Sequence, residues 1–109
     1  MLNPRLFGSD APSPTRVLVT GGAGFVGHGI VAALRSLEIP VRVLDSGPAH
    51  PDWPNGVEHI RGDLLHDTTR AEATKGVDLV IHTAGIWDGS PGGSERMHRL
   101  NIDGTEAML

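Results

Sequence analysis

A short β-branched run, Arg16-Val17-Leu18-Val19-Thr20, leads without a break into Gly21-Gly22-Ala23-Gly24-Phe25-Val26-Gly27. No other segment restricts the fold as tightly. The run reads as a buried strand. The residues after it, with Val26, Ile30, Val31, Leu34 and Leu37 at helical spacing, predict a helix to about Glu38, stopped by Pro40. A strand turning at once into a helix on glycines matches the dinucleotide fingerprint, Gly22-x-Gly24-x-x-Gly27, and its variant Gly21-x-x-Gly24-x-x-Gly27. The first glycines permit the tight turn, Gly24 lets backbone approach a pyrophosphate, and Gly27 lets helix and strand pack closely. The N–H groups of Phe25 and Val26 are expected to face the phosphates at the positive helix end.

The rest of the chain continues the alternation. Val41 to Asp45 reads as a second strand, and Ser46 to Gly56, with Pro48, Pro51 and Pro54, as a loop. Val57 to Arg61 is a third strand ending in Gly62-Asp63-Leu64. Asp67 is the expected N-cap of a short helix from Thr68 to Lys75, closed by Gly76. Val77 to Thr83 is a fourth strand, apolar on both faces. Gly85 to Gly93 is a glycine-rich loop, after which Ser94 caps a last helix with Met97, Leu100, Gly104 and Met108 on one face. Strand–helix alternation of this kind predicts a doubly wound, Rossmann-like α/β fold with a parallel sheet in the order 3-2-1-4. Residues 1–15, rich in Pro, Gly and Ser, read as a flexible leader.

Asp45 ends the second strand 18 residues after Gly27, where an acidic side chain accepts hydrogen bonds from an adenosine ribose. A 2′-phosphate there would meet a like charge, at about 4 kcal/mol per charge pair for an effective dielectric near 20. The expected cofactor is therefore NAD, favoured over NADP by more than about a hundredfold. Ser46 rather than Arg follows Asp45, so no cation stands in sequence position to relieve that repulsion.

Composition narrows the function. The net charge is −4, with eight Arg and the single Lys75. A nucleic-acid or anionic-membrane surface needs a basic patch and is not expected. No apolar run reaches the roughly 20 residues of a spanning helix, and there is no Cys, which together favour a cytoplasmic protein. His28, His50, His59, His66 and His98 show no metal-ligand spacing. His82, inside an apolar strand, reads as a satisfied core histidine. Trp87 could contact a substrate or cover the core.

Four segments in order, Thr20-Gly21-Gly22-Ala23-Gly24-Phe25-Val26-Gly27, Gly62-Asp63-Leu64, His82-Thr83-Ala84-Gly85 and Asn101-Ile102-Asp103-Gly104-Thr105, resemble the extended short-chain dehydrogenase/reductases. That family includes NAD-dependent nucleotide-sugar epimerases and dehydratases and 3β-hydroxysteroid dehydrogenase-like enzymes. The resemblance implies that Asp63 bonds the adenine amino group with Leu64 beside the ring. It implies that Thr83, Ala84 and Gly85 line the cofactor, and that Asn101 lies under the nicotinamide side and braces the fourth strand. The bland readings are a strand-ending turn at Gly62-Asp63 and a buried structural Asn101.

The same resemblance implies hydride transfer to or from a carbinol or carbonyl carbon, using a Tyr with a Lys four positions on. This chain has no Tyr, and Lys75 lies upstream of where that pair belongs. The expectation is the NAD-binding, N-terminal part of a longer enzyme (residues 16–109), catalytically incompetent alone. Its small-molecule substrate and a homodimer would belong to the full-length enzyme. The alternatives are a non-catalytic dinucleotide-sensing module and a truncated product without function.

Overall fold

A computed structural model describes residues 16–85 and 90–108. The leader, the loop residues 86–89 with Trp87, and Leu109 lie outside the described residues. The chain runs β1 (Val17–Thr20), α1 (Phe25–Ser36), β2 (Val41–Asp45), β3 (Val57–Arg61), α2 (Asp67–Thr74), β4 (Leu79–His82), α3 (Gly93–Met97), a π-helical turn (His98–Asp103) and α4 (Gly104–Met108). The four strands form one parallel sheet in the order β3-β2-β1-β4.

Alternate residues of each strand feed two apolar layers, as the period of two requires. Val17, Val19, Val41 and Val43 pack under α1 with Val31, Leu34 and Ile39. Leu18 and Leu44 pack on the other face with Leu64 and Ala73, joined by Ile60, Leu100 and Met108. All four β1 residues are fully buried, so the strand that delivers the glycine turn is the most enclosed element.

Helix α1 stops at Ser36, two residues short of the sequence expectation. Glu38 adopts φ 61°, and the N–H groups of Glu38 and Ile39 bond back to the carbonyls of Arg35 and Leu34. That pairing is a Schellman closure built without glycine. Asp67 is not the N-cap of α2 but its first helical residue, paired with Arg70. His66 occupies the cap position without a side-chain bond. The helix instead gains its anchor at the other end. Arg42, buried in β2, donates to the carbonyls of Ala73 (2.8 Å) and Lys75 (2.7 Å) and pairs with Glu58 of β3 (3.1 Å). A guanidinium there satisfies the last carbonyls of α2 and complements the negative end of its dipole.

Strand β4 covers Leu79–His82 only, and among the described residues it pairs with β1 alone, leaving Leu79 and Val80 partly exposed at the sheet edge. The last helix begins at Gly93 with Gly92, not Ser94, at the N-cap. It is also not regular. Gly104 N–H bonds the Arg99 carbonyl five residues back, so the helix carries a π turn at its centre. The extra residue rotates the faces. Gly104 is buried against Leu64, whereas Asn101, whose bland reading is a buried structural residue, is exposed. Among the described residues no helix is long and apolar enough to cross a membrane.

Candidate functional site

The carboxyl ends of the strands open onto a cavity of about 480 Å³. This is where open α/β sheets bind ligands. Gly21 shapes one wall. It has φ +72°, and a methyl on it would stand 2.8 Å from the Ala84 backbone, so the ends of β1 and β4 touch only because it is glycine. Gly27 does the same for the helix. A methyl there would lie 2.1 Å from the Gly21 carbonyl oxygen. The first intrahelical bond is His28 N–H to the Gly24 carbonyl, which leaves the N–H groups of Phe25, Val26 and Gly27 ahead of the ladder.

Asp45 sits at the rim. One carboxylate oxygen accepts the Ala23 N–H at 3.0 Å and the other the Gly47 N–H at 2.8 Å. Each oxygen can accept a further bond, so the side chain is oriented without being used up. Asp63 likewise accepts the Leu65 N–H at 2.9 Å, an Asx turn that holds the carboxylate at the cavity edge.

Of the residues singled out from sequence, Gly21, Gly24, Asp45, Asp63, Leu64, Thr83, Ala84 and Gly85 line this cavity together. Phe25 and Val26 do not. Their side chains stand out in solvent, Phe25 being 90% exposed. Gly27 is packed into the turn rather than facing the cavity. Asn101 lies just behind the wall, its Oδ1 against Gly85.

Sequence reasoning missed the far wall. The loop after β2 contributes Ser46, Gly47, Pro48, Ala49, His50 and Pro51. It is strapped over the glycine turn by the Trp53 indole N–H, which donates to the Gly22 carbonyl at 2.8 Å. Its proline content signalled a loop but not its direction. The fold also brings in a cation that the order of residues hid. Arg61, at the end of β3, donates to the Ser46 carbonyl at 3.3 Å, next to the place where Asp45 was read as standing without a cation.

Folding also gathers His28, His50 and Asp52, with donor atoms within 4.8 Å of one another. The two imidazoles are stacked at 4.2 Å with planes 2° apart. A metal ion lies in the plane of each imidazole that binds it, and two parallel stacked planes share no such point. As placed, this group is a ring stack that steadies the strap.

His82 is held between two hydroxyls. Thr105 donates to the Asn101 carbonyl at 2.7 Å, so it accepts from His82 Nε2–H at 3.0 Å. His82 Nδ1 then accepts from the Thr20 hydroxyl at 2.5 Å. Burial lowers the His82 pKa from its ordinary value, in keeping with this neutral form.

Comparison with known proteins agrees with this geometry. The 3-beta hydroxysteroid dehydrogenase/isomerase family model matches residues 18–109. A 3 beta-hydroxysteroid dehydrogenase/Delta 5-->4-isomerase of Mycobacterium tuberculosis is 38% identical over 104 residues, covering 86% of this chain and 27% of that protein. The type 7 3 beta-hydroxysteroid dehydrogenase of Mus musculus is 37% identical over 110 residues, covering 92% of this chain and 30% of that protein. Among solved structures, a short-chain dehydrogenase/reductase superfamily protein from Agrobacterium tumefaciens with bound NAD superposes with a TM-score of 0.74 at 34% identity. It is covered to 28%, as is 85% of this chain. A Thermus thermophilus UDP-glucose 4-epimerase complexed with NAD gives 0.71 at 30% identity, over 85% of this chain and 32% of that one. The chain thus spans 27–32% of the length of these relatives. On its strand order, its glycine turn and a family match that runs from β1 to the last residue, this chain belongs to the 3-beta hydroxysteroid dehydrogenase/isomerase family.

Proposed function

We propose that this chain is the NAD-binding portion of an oxidoreductase or epimerase that acts on a carbinol or carbonyl carbon. The observation that carries the reading is Asp45, oriented by two backbone N–H groups at the rim of a cavity that the glycine turn opens. Asp45 would accept the hydroxyls of the adenosine ribose, and Asp63 with Leu64 would hold the adenine. The turn at Gly21–Gly24 and the leading N–H groups of α1 would face the pyrophosphate. Thr83, Ala84 and Gly85 would line the nicotinamide half, with Asn101 behind them. When bound, NAD supplies hydride acceptance or donation at its nicotinamide.

The chain's own residues orient the cofactor and exclude water from one side of it. With no Tyr among its 109 residues, the chain supplies no tyrosine acid or base. The NAD-bound relatives support the cofactor reading, and the steroid dehydrogenase and sugar-nucleotide epimerase relatives name two of the substrate classes open to the whole protein. Calorimetric titration with NAD tests the proposal. Saturable heat is expected, weakened about tenfold to a hundredfold in Asp45→Ala, since a hydrogen bond to a charged group contributes about 1.5–3 kcal/mol. No saturable heat, or an unaffected Asp45→Ala, refutes it.

A further inference from the structure

We propose that His82 is a positioning residue for the cavity wall Thr83–Gly85, acting as a neutral imidazole that fixes the Thr20 hydroxyl. The inference rests on the cofactor reading for its consequence but not for its geometry. The Thr20 hydroxyl hydrogen is committed to His82 Nδ1, so its lone pairs point elsewhere. They accept the Ala84 N–H at 3.3 Å and the Thr83 N–H at 3.1 Å, the latter shared with the Thr20 carbonyl at 3.1 Å. The Thr83 hydroxyl adds a bond to the Thr20 carbonyl at 2.6 Å. The other imidazole nitrogen reaches Thr105 on the last helix, whose hydroxyl continues to Asn101, the residue against Gly85. One side chain thereby ties the end of β1, the wall after β4 and the helix behind it into a single chain of bonds with consistent donors and acceptors.

That polarity has a chemical consequence. A proton on Nδ1 turns an acceptor into a donor, and the Thr20 hydroxyl must rotate to receive it. Its hydrogen then competes with the Thr83 and Ala84 N–H groups, and the wall loosens. Ionisable groups on the surrounding elements are Arg16 before β1, Asp78 before β4, and Glu95, Arg96, His98, Arg99, Asp103 and Glu106 on the helix. Of these, Arg16 pairs with Glu58 and His98 with Asp103. Burial, rather than any of these charges, sets the direction of the His82 shift. A neutral Gln at the position offers a carbonyl to Thr20 and an amide to Thr105 without a titrating group.

The test uses the full chain in two readouts. Imidazole ¹⁵N shifts of His82, measured without ligand, should show the Nε2–H tautomer. The Thr83 and Ala84 amide shifts should titrate together with His82 and stay flat in His82→Gln. NAD titration from pH 8 to 5.5 should show about a tenfold loss of affinity as His82 protonates in the wild type. His82→Gln should keep the pH 8 affinity and flatten the profile, and Thr20→Val should reproduce the low-pH state at every pH. An Nδ1–H tautomer, or amides that titrate equally in His82→Gln, overturns the proposal whether or not NAD binds. Amides that follow His82 in a chain that does not bind NAD uphold the positioning role and refute the cofactor reading instead.

Discussion

Two glycines of α1, two residues apart, should respond in opposite directions to the same substitution. Gly27 and Gly29 both sit in the helix, where alanine is intrinsically favoured by about 1 kcal/mol. At Gly29 a methyl meets nothing within 4 Å, so Gly29→Ala should realise most of that gain. At Gly27 the methyl lies 2.1 Å from the Gly21 carbonyl oxygen and 2.8 Å from both Gly21 C and Gly22 Cα. Ordinary contact begins near 3.4 Å, and all three neighbours are backbone, so no side chain can swing aside. Helix and turn must part by more than 1 Å. Overpacking usually costs about 1–3 kcal/mol, and a backbone neighbour places Gly27→Ala at the upper end, a net loss of about 2 kcal/mol after the propensity gain. In a domain of this size 1 kcal/mol moves Tm by about 4–8 °C. Thermal unfolding followed by circular dichroism should therefore rise by about 4 °C for Gly29→Ala and fall by about 8–16 °C for Gly27→Ala. NAD affinity should drop in Gly27→Ala alone. Shifts of the same sign at both positions would refute the close approach of α1 to the turn.

Arg42→Met keeps the buried hydrocarbon stem but strips the carbonyls at the end of α2 of their donor. It should lower stability by about 2–4 kcal/mol in urea unfolding, against less than about 1 kcal/mol for half-exposed Glu58→Gln. Arg61, beside Ser46, should soften the rejection of NADP. Competition binding is expected to show an NAD preference below the hundredfold that Asp45 alone implies, and Arg61→Ala should widen it several-fold. The lowered pKa of His82 gives the stability a direction with pH. As pH falls below about 6.5 the unfolded chain takes up this proton before the folded chain does, so stability declines on the acid side. His82→Gln should lose that component of the decline, which a Tm series from pH 7.5 to 5.5 would detect.

The order of strands and the position of the glycine turn were legible in the sequence because both follow from local pattern. β-branched runs, glycines at fixed intervals and an acid at a strand end each carry their meaning within a few residues. What stayed hidden depends on residues far apart in the chain. The strap is aimed by the Trp53 bond to Gly22, and proline content alone could not direct it. Arg61 approaches Ser46 only because β3 pairs with β2. Arg42 interrupts the apolar run from Val41 to Leu44, and that anomaly was the available sign of a buried partner. Asp67 was read as a cap on propensity, but Arg70 one turn on draws its carboxylate sideways instead. The smooth helical pattern from Met97 to Met108 concealed the π turn, since a helical wheel assumes one rotation per residue throughout.

That π turn fixes an angular phase. Each residue of an α-helix advances the wheel by about 100°, and a π turn holds one residue more than an α turn. Winding His98–Asp103 as regular α-helix with every residue kept would swing everything after it through about that angle. Gly104 would leave Leu64, and Thr105 would leave His82. The imperfectly wound turn acts as a vernier between the two ends of the helix. It keeps its own Asn101 beside the cavity wall while the segment after it meets the sheet.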